Sequence, residues 1–294
     1  MMPVNSVTVV LRWTNALLAL GFIVNLGVLR FSAGRRSPFF LPWLLFWLSF
    51  AATYIVASFA SPALTAIVYA LDILTSFFLF LASEFLRSGS GRDKSPTLLR
   101  PLIKWGVPCT IALVALSATF LQPFGGTASS LLSFLAIAVY ARRYGKVVTD
   151  SGGWVSVLLY IYAATHLVLL QYAGFGPPFL FFAFTAISVP LKIVLYYSGY
   201  VALPRVVTRA ALPVLPTRTG RQPRRRPASD RVGPPEPTVT IEFTNFWGFL
   251  YILWRYPSGK ALVVLILGSL LSAIIFIASN LQALVKTLLQ VITP

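Results

Sequence analysis

One cysteine, one histidine and seven acidic residues are all that this 294-residue chain offers to metal, redox or carboxylate chemistry. The lone Cys109 excludes intrachain disulfides, Cys-pair zinc sites and an iron–sulfur cluster held by this chain alone. One histidine and scattered carboxylates form no constellation of nucleophile, base and acid, so no catalytic residue, metal or other cofactor is expected. Charge of both signs is scarce, at 11% of residues against about 25% in an ordinary soluble domain. Also missing are the segments of about ten residues, alternately apolar and polar, that a transmembrane β-barrel requires.

What is present is hydrophobic, 57% of the chain. Runs of roughly 20 residues with no charge or one are long enough to cross about 30 Å of hydrocarbon as α-helices. The expected fold is all-α: a polytopic transmembrane bundle of seven helices plus one appended C-terminal helix. Spans are expected at about 7–29, 39–59, 63–86, 103–121, 126–141, 153–173, 178–199 and 261–283. The start "MMPVNSVTVVLRW" lacks the basic opening and small-residue cleavage site of a signal peptide, so the first apolar run is expected to be a retained helix.

The loops alternate in charge. Arg30, Arg35 and Arg36 follow the first span, Arg87, Arg92, Lys94, Arg100 and Lys104 the third, and Arg142, Arg143 and Lys146 the fifth. The intervening loops "SP", "QPFGG" and "GFGPP" have no basic residue. Basic loops mark the cytoplasmic side, which puts the N-terminus outside and 21 of the 24 basic residues inside. The net charge of +17 therefore reads as orientation and attraction to anionic membrane lipids. Arginine outnumbers lysine 18 to 6, and no aromatic residue interleaves with the "RQPRRRP" cluster. A single-strand binder needs such a stacking platform, so no nucleic-acid partner is expected.

Three units follow. Residues 1–200 form the bundle, 201–240 a Pro/Arg-rich cytoplasmic linker too poor in large apolar residues to build a core, and 241–294 an interfacial aromatic helix plus the eighth span. In "TVTIEFTNFWGFLYILWRYPSGK", Phe243, Phe246, Trp247, Leu250 and Trp254 share helical spacing in a segment too short to cross. Arg224, Arg225, Arg226, Trp247 and Trp254 are the candidates for contact with lipid headgroups or a partner.

Ionisable residues inside the spans are sorted by depth. At 1.5 Å per residue, Asp72 lies roughly 14 Å and His166 about 10 Å below the outer surface, with Lys192 roughly 21 Å below it. A charge at mid-bilayer costs on the order of 3 kcal/mol and usually faces the bundle interior. Asp72, His166 and Lys192 are therefore expected to face one another, with Thr75 and Ser188, and also Ser76 and Thr165, as neutral partners. The cluster would bind a ligand or relay protons. A buried pair, or a protonated Asp72, that only fixes packing is the competing reading. Elsewhere Arg12 is expected to snorkel, Glu84 to pair with Arg87, and Asn15 and Asn25 to donate interhelical hydrogen bonds.

Together "LYIYAATHLVLLQYAG", "FAFTAISVPLKIVLYYSGYV" and the overall arrangement resemble the seven-helix membrane sensory modules that bacterial signalling proteins place before a cytoplasmic output domain. The resemblance covers about residues 7 to 200 and carries no diagnostic motif. It implies an inner-membrane sensor or assembly subunit whose protein partner docks at the cytoplasmic face or on the last helix, because no kinase, cyclase or phosphatase sequence follows. Lys192 and Asp72 also imitate the lysine and counterion of microbial rhodopsins. The chain departs from that family at Ser188, where an acid is expected, and at Tyr69, where an arginine is expected. "LWRYPSGKALVVLILGSLLSAIIF" looks like the single-helix anchor of membrane tetrahaem cytochromes, without a following Cys-x-x-Cys-His for haem. A transporter, a membrane enzyme for a lipid-soluble substrate, or a subunit beside an electron-transfer complex are the alternatives.

Overall fold

The computed structural model describes residues 6–33, 39–59, 64–88, 99–118, 124–148, 153–172, 178–211, 246–255 and 257–279. Among them are α1 (Ser6–Ala33), α2 (Phe40–Ser58), α3 (Thr65–Ser88), α4 (Leu99–Ala118), α5 (Phe124–Val147), α6 (Gly153–Tyr172), α7 (Pro178–Ala211), α8 (Phe246–Arg255) and α9 (Pro257–Ser279), and no strand. The all-α expectation holds. Apolar side chains leave the backbone no external partner in hydrocarbon, and a helix closes every amide bond within its own segment. Pro178 and Pro257 open α7 and α9 at the position where a missing amide hydrogen costs nothing.

Among the described residues three helices are long and apolar enough to cross a membrane: α1 over Val9–Gly27, α2 over Phe40–Ser58 and α3 over Thr65–Leu86. Shorter apolar stretches lie at Leu102–Leu113, Gly153–Leu167, Ala186–Ala202 and Gly259–Leu271. Several helix ends differ from expectation by a turn or more: α1 runs on to Ala33, α4 starts at Leu99, α5 runs on to Val147, α7 runs on to Ala211 and α9 starts at Pro257. Hydropathy marks where an apolar run stops, whereas backbone bonding continues past it. The added turns of α5 carry Arg142, Arg143 and Lys146, and the charge of Lys146 in the last turn suits a helix C-terminus.

Side-chain contacts give the direction of each helix. Asp72 meets Ser129 and Glu84 meets Arg143, so α3 and α5 run parallel. Lys192 meets Asn15 and Tyr196 meets Asn25, so α7 runs parallel to α1. Arg12 donates to the Ala57 carbonyl in the last turn of α2, which makes α1 and α2 antiparallel. In the order of packing, α1 lies on α2, α2 on α3, α3 on α5, α5 on α6 and α6 on α7, with α4 against α3. α9 packs on both α1 and α7, and α8 packs on α9.

The core is aromatic and centred on α2. Phe39, Trp43, Phe46, Trp47 and Phe50 are buried along one side, joined by Phe22 of α1, Tyr140 of α5 and Tyr196 of α7. Trp43 stacks on Tyr140 at 5.4 Å, and Phe22 meets Trp47 edge-on at 4.7 Å. Such pairs contribute about 0.5–1.5 kcal/mol each beyond burial. The indole N–H groups of Trp43 and Trp47 are buried without a hydrogen-bond partner among the described residues. Gly199 lets α7 approach this stack, since a Cβ there would sit 2.3 Å from the Trp43 ring. Small residues at helix contacts matter in membranes, where dispersion replaces the hydrophobic drive between helices.

Candidate functional site: a polar layer inside the bundle

Serine and threonine hydroxyls in these helices mostly return to their own backbone. Thr53 donates to the Ser49 carbonyl at 2.9 Å and Thr75 to that of Leu71 at 2.8 Å. This local bond lowers the cost of a hydroxyl in an apolar bundle. Several reach across as well: Thr75 Oγ1 to Ser49 Oγ at 3.0 Å joins α3 to α2, and Ser76 Oγ and Ser133 Oγ, 3.1 Å apart, join α3 to α5.

Lys192 occupies the centre of this layer with 2% of its surface exposed. Its ammonium donates to Asn15 Oδ1 at 2.6 Å and to the Tyr54 hydroxyl at 2.9 Å. It also lies 4.6 Å from the centroid of the Tyr54 ring and 5.2 Å from that of Phe50. Two charge-assisted bonds and two aromatic faces replace part of its hydration, the latter worth up to about 2 kcal/mol when water is excluded. Asn15 is held in turn by its amide, which donates to the Leu11 carbonyl at 2.7 Å. Asn15 and Asn25, expected as donors between helices, thus use their oxygens across the α1–α7 contact, Asn25 accepting from Tyr196 at 2.7 Å.

Asp72 is held separately. Its Oδ2 accepts from Ser129 Oγ of α5, while Ser76 Oγ contacts the Asp72 backbone carbonyl at 3.1 Å. Among the described residues no ion pair joins Asp72 to Lys192 or His166. His166 lies edge-on to Tyr162 of its own helix, with 5.2 Å between centroids. Thr75 and Ser188 are both buried. Among the described residues the hydrogen bonds of Lys192 join α7 to α1 and α2 and that of Asp72 joins α3 to α5, with Thr75–Ser49 bridging α2 and α3. His166 rests on Tyr162 and lies within electrostatic range of Lys192, as Asp72 does. Tyr54 and Ser129 belong to these groups and escaped the sequence reading. The spacing of Ser129 and Ser133, one turn apart, was the available signal for α5.

A second charged group closes the far end of the bundle. Glu84 accepts from Arg143 at 2.6 Å, from the Trp105 indole at 3.0 Å and from Lys104 at 3.2 Å. Arg143 also reaches Ser83 at 2.8 Å, and Trp105 stacks on Phe80 at 4.0 Å. This ties α4 to α3 and α5; the Arg87 side chain expected beside Glu84 lies outside the described residues. So do Arg224, Arg225, Arg226 and the side chain of Trp247, whereas Trp254 is half exposed.

Among the described residues no three of His, Cys, Asp and Glu gather to hold a metal. Apolar helices able to span a bilayer, built around a buried polar layer, define a helical membrane protein. No protein family, curated protein or solved structure matches the chain.

Proposed function

We propose that the chain is a multi-pass inner-membrane protein with eight crossings and its N-terminus outside. In this reading it acts as a sensor or assembly subunit. The alternation of basic and uncharged loops supports the orientation. The packing of α9 on α1 and α7 supports its membership in the bundle.

The observation that carries the reading is how Lys192 is held. A charge kept only for packing is cheapest beside an opposite charge, because a lone one in the bilayer interior is costly. Lys192 instead rests on Asn15 and Tyr54, neutral groups on two other helices. Any change in its charge or contacts acts at once on α1, α2 and α7. From there α7 leads through Tyr196, Tyr197 and Tyr200 to Phe249 of α8, whose ring lies 5.2 Å from Tyr197 and 5.3 Å from Tyr200. α8 exposes Tyr251 and Trp254, aromatic residues suited to the headgroup level. The proposed output is therefore the cytoplasmic end of α7 with α8, read by a protein partner on a lipid surface that the arginines of the linker help to hold.

The test is purification of the full chain in mild detergent, with identification of co-purifying proteins for the wild type and for Lys192→Met, Asp72→Asn and His166→Ala. The Lys192 variant is expected to change the partner set at unchanged expression. If all three variants, singly and combined, leave the partner set as in the wild type, the sensor reading fails, and a change in thermal stability alone would mean that the layer is packing only.

A further inference from the structure

We propose that Asp72, Ser76, Ser129 and Ser133 form a binding site for sodium between α3 and α5, and that Lys192 is its built-in competitor. The inference rests on the reading of the polar layer as a functional site and gives that site a ligand.

The ligand set comes from two parallel helices in register. Asp72 and Ser76 stand one turn apart on α3, and Ser129 and Ser133 one turn apart on α5. They meet as two rungs, Asp72 on Ser129 and Ser76 on Ser133, the latter at 3.1 Å. All three serines are buried, at 2–6% exposure. Every side-chain polar atom in the group is oxygen, the donor type that hard cations take. Soft or borderline metals want nitrogen or sulfur, and no such group of ligands exists among the described residues.

Charge selects the ion within that class. One carboxylate neutralises one positive charge, so a monovalent ion leaves the site neutral in a medium where net charge is costly. A calcium site gathers several carboxylates and carbonyls, and among the described residues Asp72 belongs to no group of three acidic, histidine or cysteine ligands. The carboxylate is short of a counter-charge: it accepts from one hydroxyl, and no ion pair to it is found among the described residues.

Lys192 supplies the alternative. Its stem is long enough to move the ammonium several ångströms, and α7 touches α3. In the observed arrangement it is parked on Asn15 and Tyr54, and among the described residues no ion pair reaches Asp72. Swung towards α3, it would pair with Asp72 and displace the ion. The exchange replaces one positive charge by another at the same carboxylate, so charge balances in both states. Sodium occupancy would thereby set the position of Lys192 and the contacts of α1, α2 and α7.

The experiment measures thermal unfolding of the full-length protein in detergent, at fixed pH and ionic strength, in sodium, potassium or choline chloride. At sodium tenfold above its dissociation constant, the wild-type Tm should rise by about 2–4 °C over choline. Lys192→Met should lower the sodium concentration at half-effect by about tenfold or more, because the competing cation is gone. Ser129→Ala and Ser133→Ala should raise it by a similar factor, and Ser129→Ala should also lower Tm in choline, because it removes the hydroxyl from which Asp72 accepts. These serine variants, read by sodium-23 line broadening, keep the test open if Asp72→Asn does not fold. Equal Tm in all three salts for wild type and Lys192→Met would overturn the proposal, as would a sodium-specific shift that survives Asp72→Asn. If either occurs while Lys192→Met still changes the partner set, the sodium site alone is lost and the sensor reading stands.

Discussion

The ring of Tyr196 lies flat on that of Phe22, with 3.7 Å between centroids and 4° between planes. Its hydroxyl donates to Asn25 Oδ1 at 2.7 Å, so one side chain makes both an apolar and a polar contact from α7 to α1. Tyr196→Phe keeps the stack and strands Asn25, at a cost of about 1 kcal/mol. Tyr196→Ala removes both and should cost about 3–5 kcal/mol. Thermal unfolding in detergent checks the ranking; equal losses would mean that the stack contributes nothing.

Gly199 gives a steric prediction. Its missing side chain leaves room for Trp43, whose ring would lie 2.3 Å from a Cβ. Trp43 cannot withdraw, because Phe39, Phe46, Trp47 and Tyr140 surround it. Gly199→Ala should therefore destabilise by about 1–3 kcal/mol through overpacking. Adding Trp43→Phe should recover part of that loss, and a double variant no better than the single one would contradict the contact.

At the far end, Glu84 is the shared acceptor of α4 and α5. Arg143 is mostly buried in that pair, at 15% side-chain exposure, and Lys104 is half exposed at 51%. Glu84→Leu leaves Arg143 without this carboxylate and should cost about 3 kcal/mol, whereas Lys104→Ala should cost well under about 1 kcal/mol. Limited proteolysis of α4 provides the second measurement, since Glu84→Leu should loosen α4 before the rest of the bundle. Equal sensitivity of all helices would show that Glu84 is not the tie.

The hydrogen bond between Lys192 and Asn15 predicts strong non-additivity. Asn15→Leu removes a partner from a buried ammonium and should cost about 3 kcal/mol, while Lys192→Met replaces the charge by an apolar stem and should fall within about 1 kcal/mol of the wild type. With the lysine gone, adding Asn15→Leu should cost little. A double-mutant cycle reads the coupling directly, and additive losses would exclude the bond.

How far the sequence could be read follows from what hydropathy encodes. Each of the helices α1 to α9 was visible in outline, because apolar runs are bounded by Pro, Gly and Arg at nearly every loop. The rotation of each helix about its axis was not. α7 is apolar nearly all round, so no polar face declares which side meets a neighbour, and the polar residues of α3 and α5 mark a face without naming what it meets. Depth alone put Asp72, His166 and Lys192 at comparable levels and proposed that they meet. The choice of Ser129 for Asp72, and of Asn15 and Tyr54 for Lys192, depends on that rotation. Glu84 shows the same limit: Arg143 lies 59 residues away in sequence and entered its surroundings through the parallel packing of α3 on α5.

The seating of α9 against both α1 and α7 has a consequence for biosynthesis. Gly21 of α1 faces Leu262 and Leu265 of α9 at 3.0–3.2 Å from where a Cβ would stand. A strip of α1 thus completes its surface against a helix made much later in the same chain. Until residues 257–279 emerge, that strip of α1 must be shielded by lipid or an insertion factor. A ribosome stalled within the Pro/Arg stretch would therefore hold a nascent bundle with an open seam along α1, a surface that quality control can read.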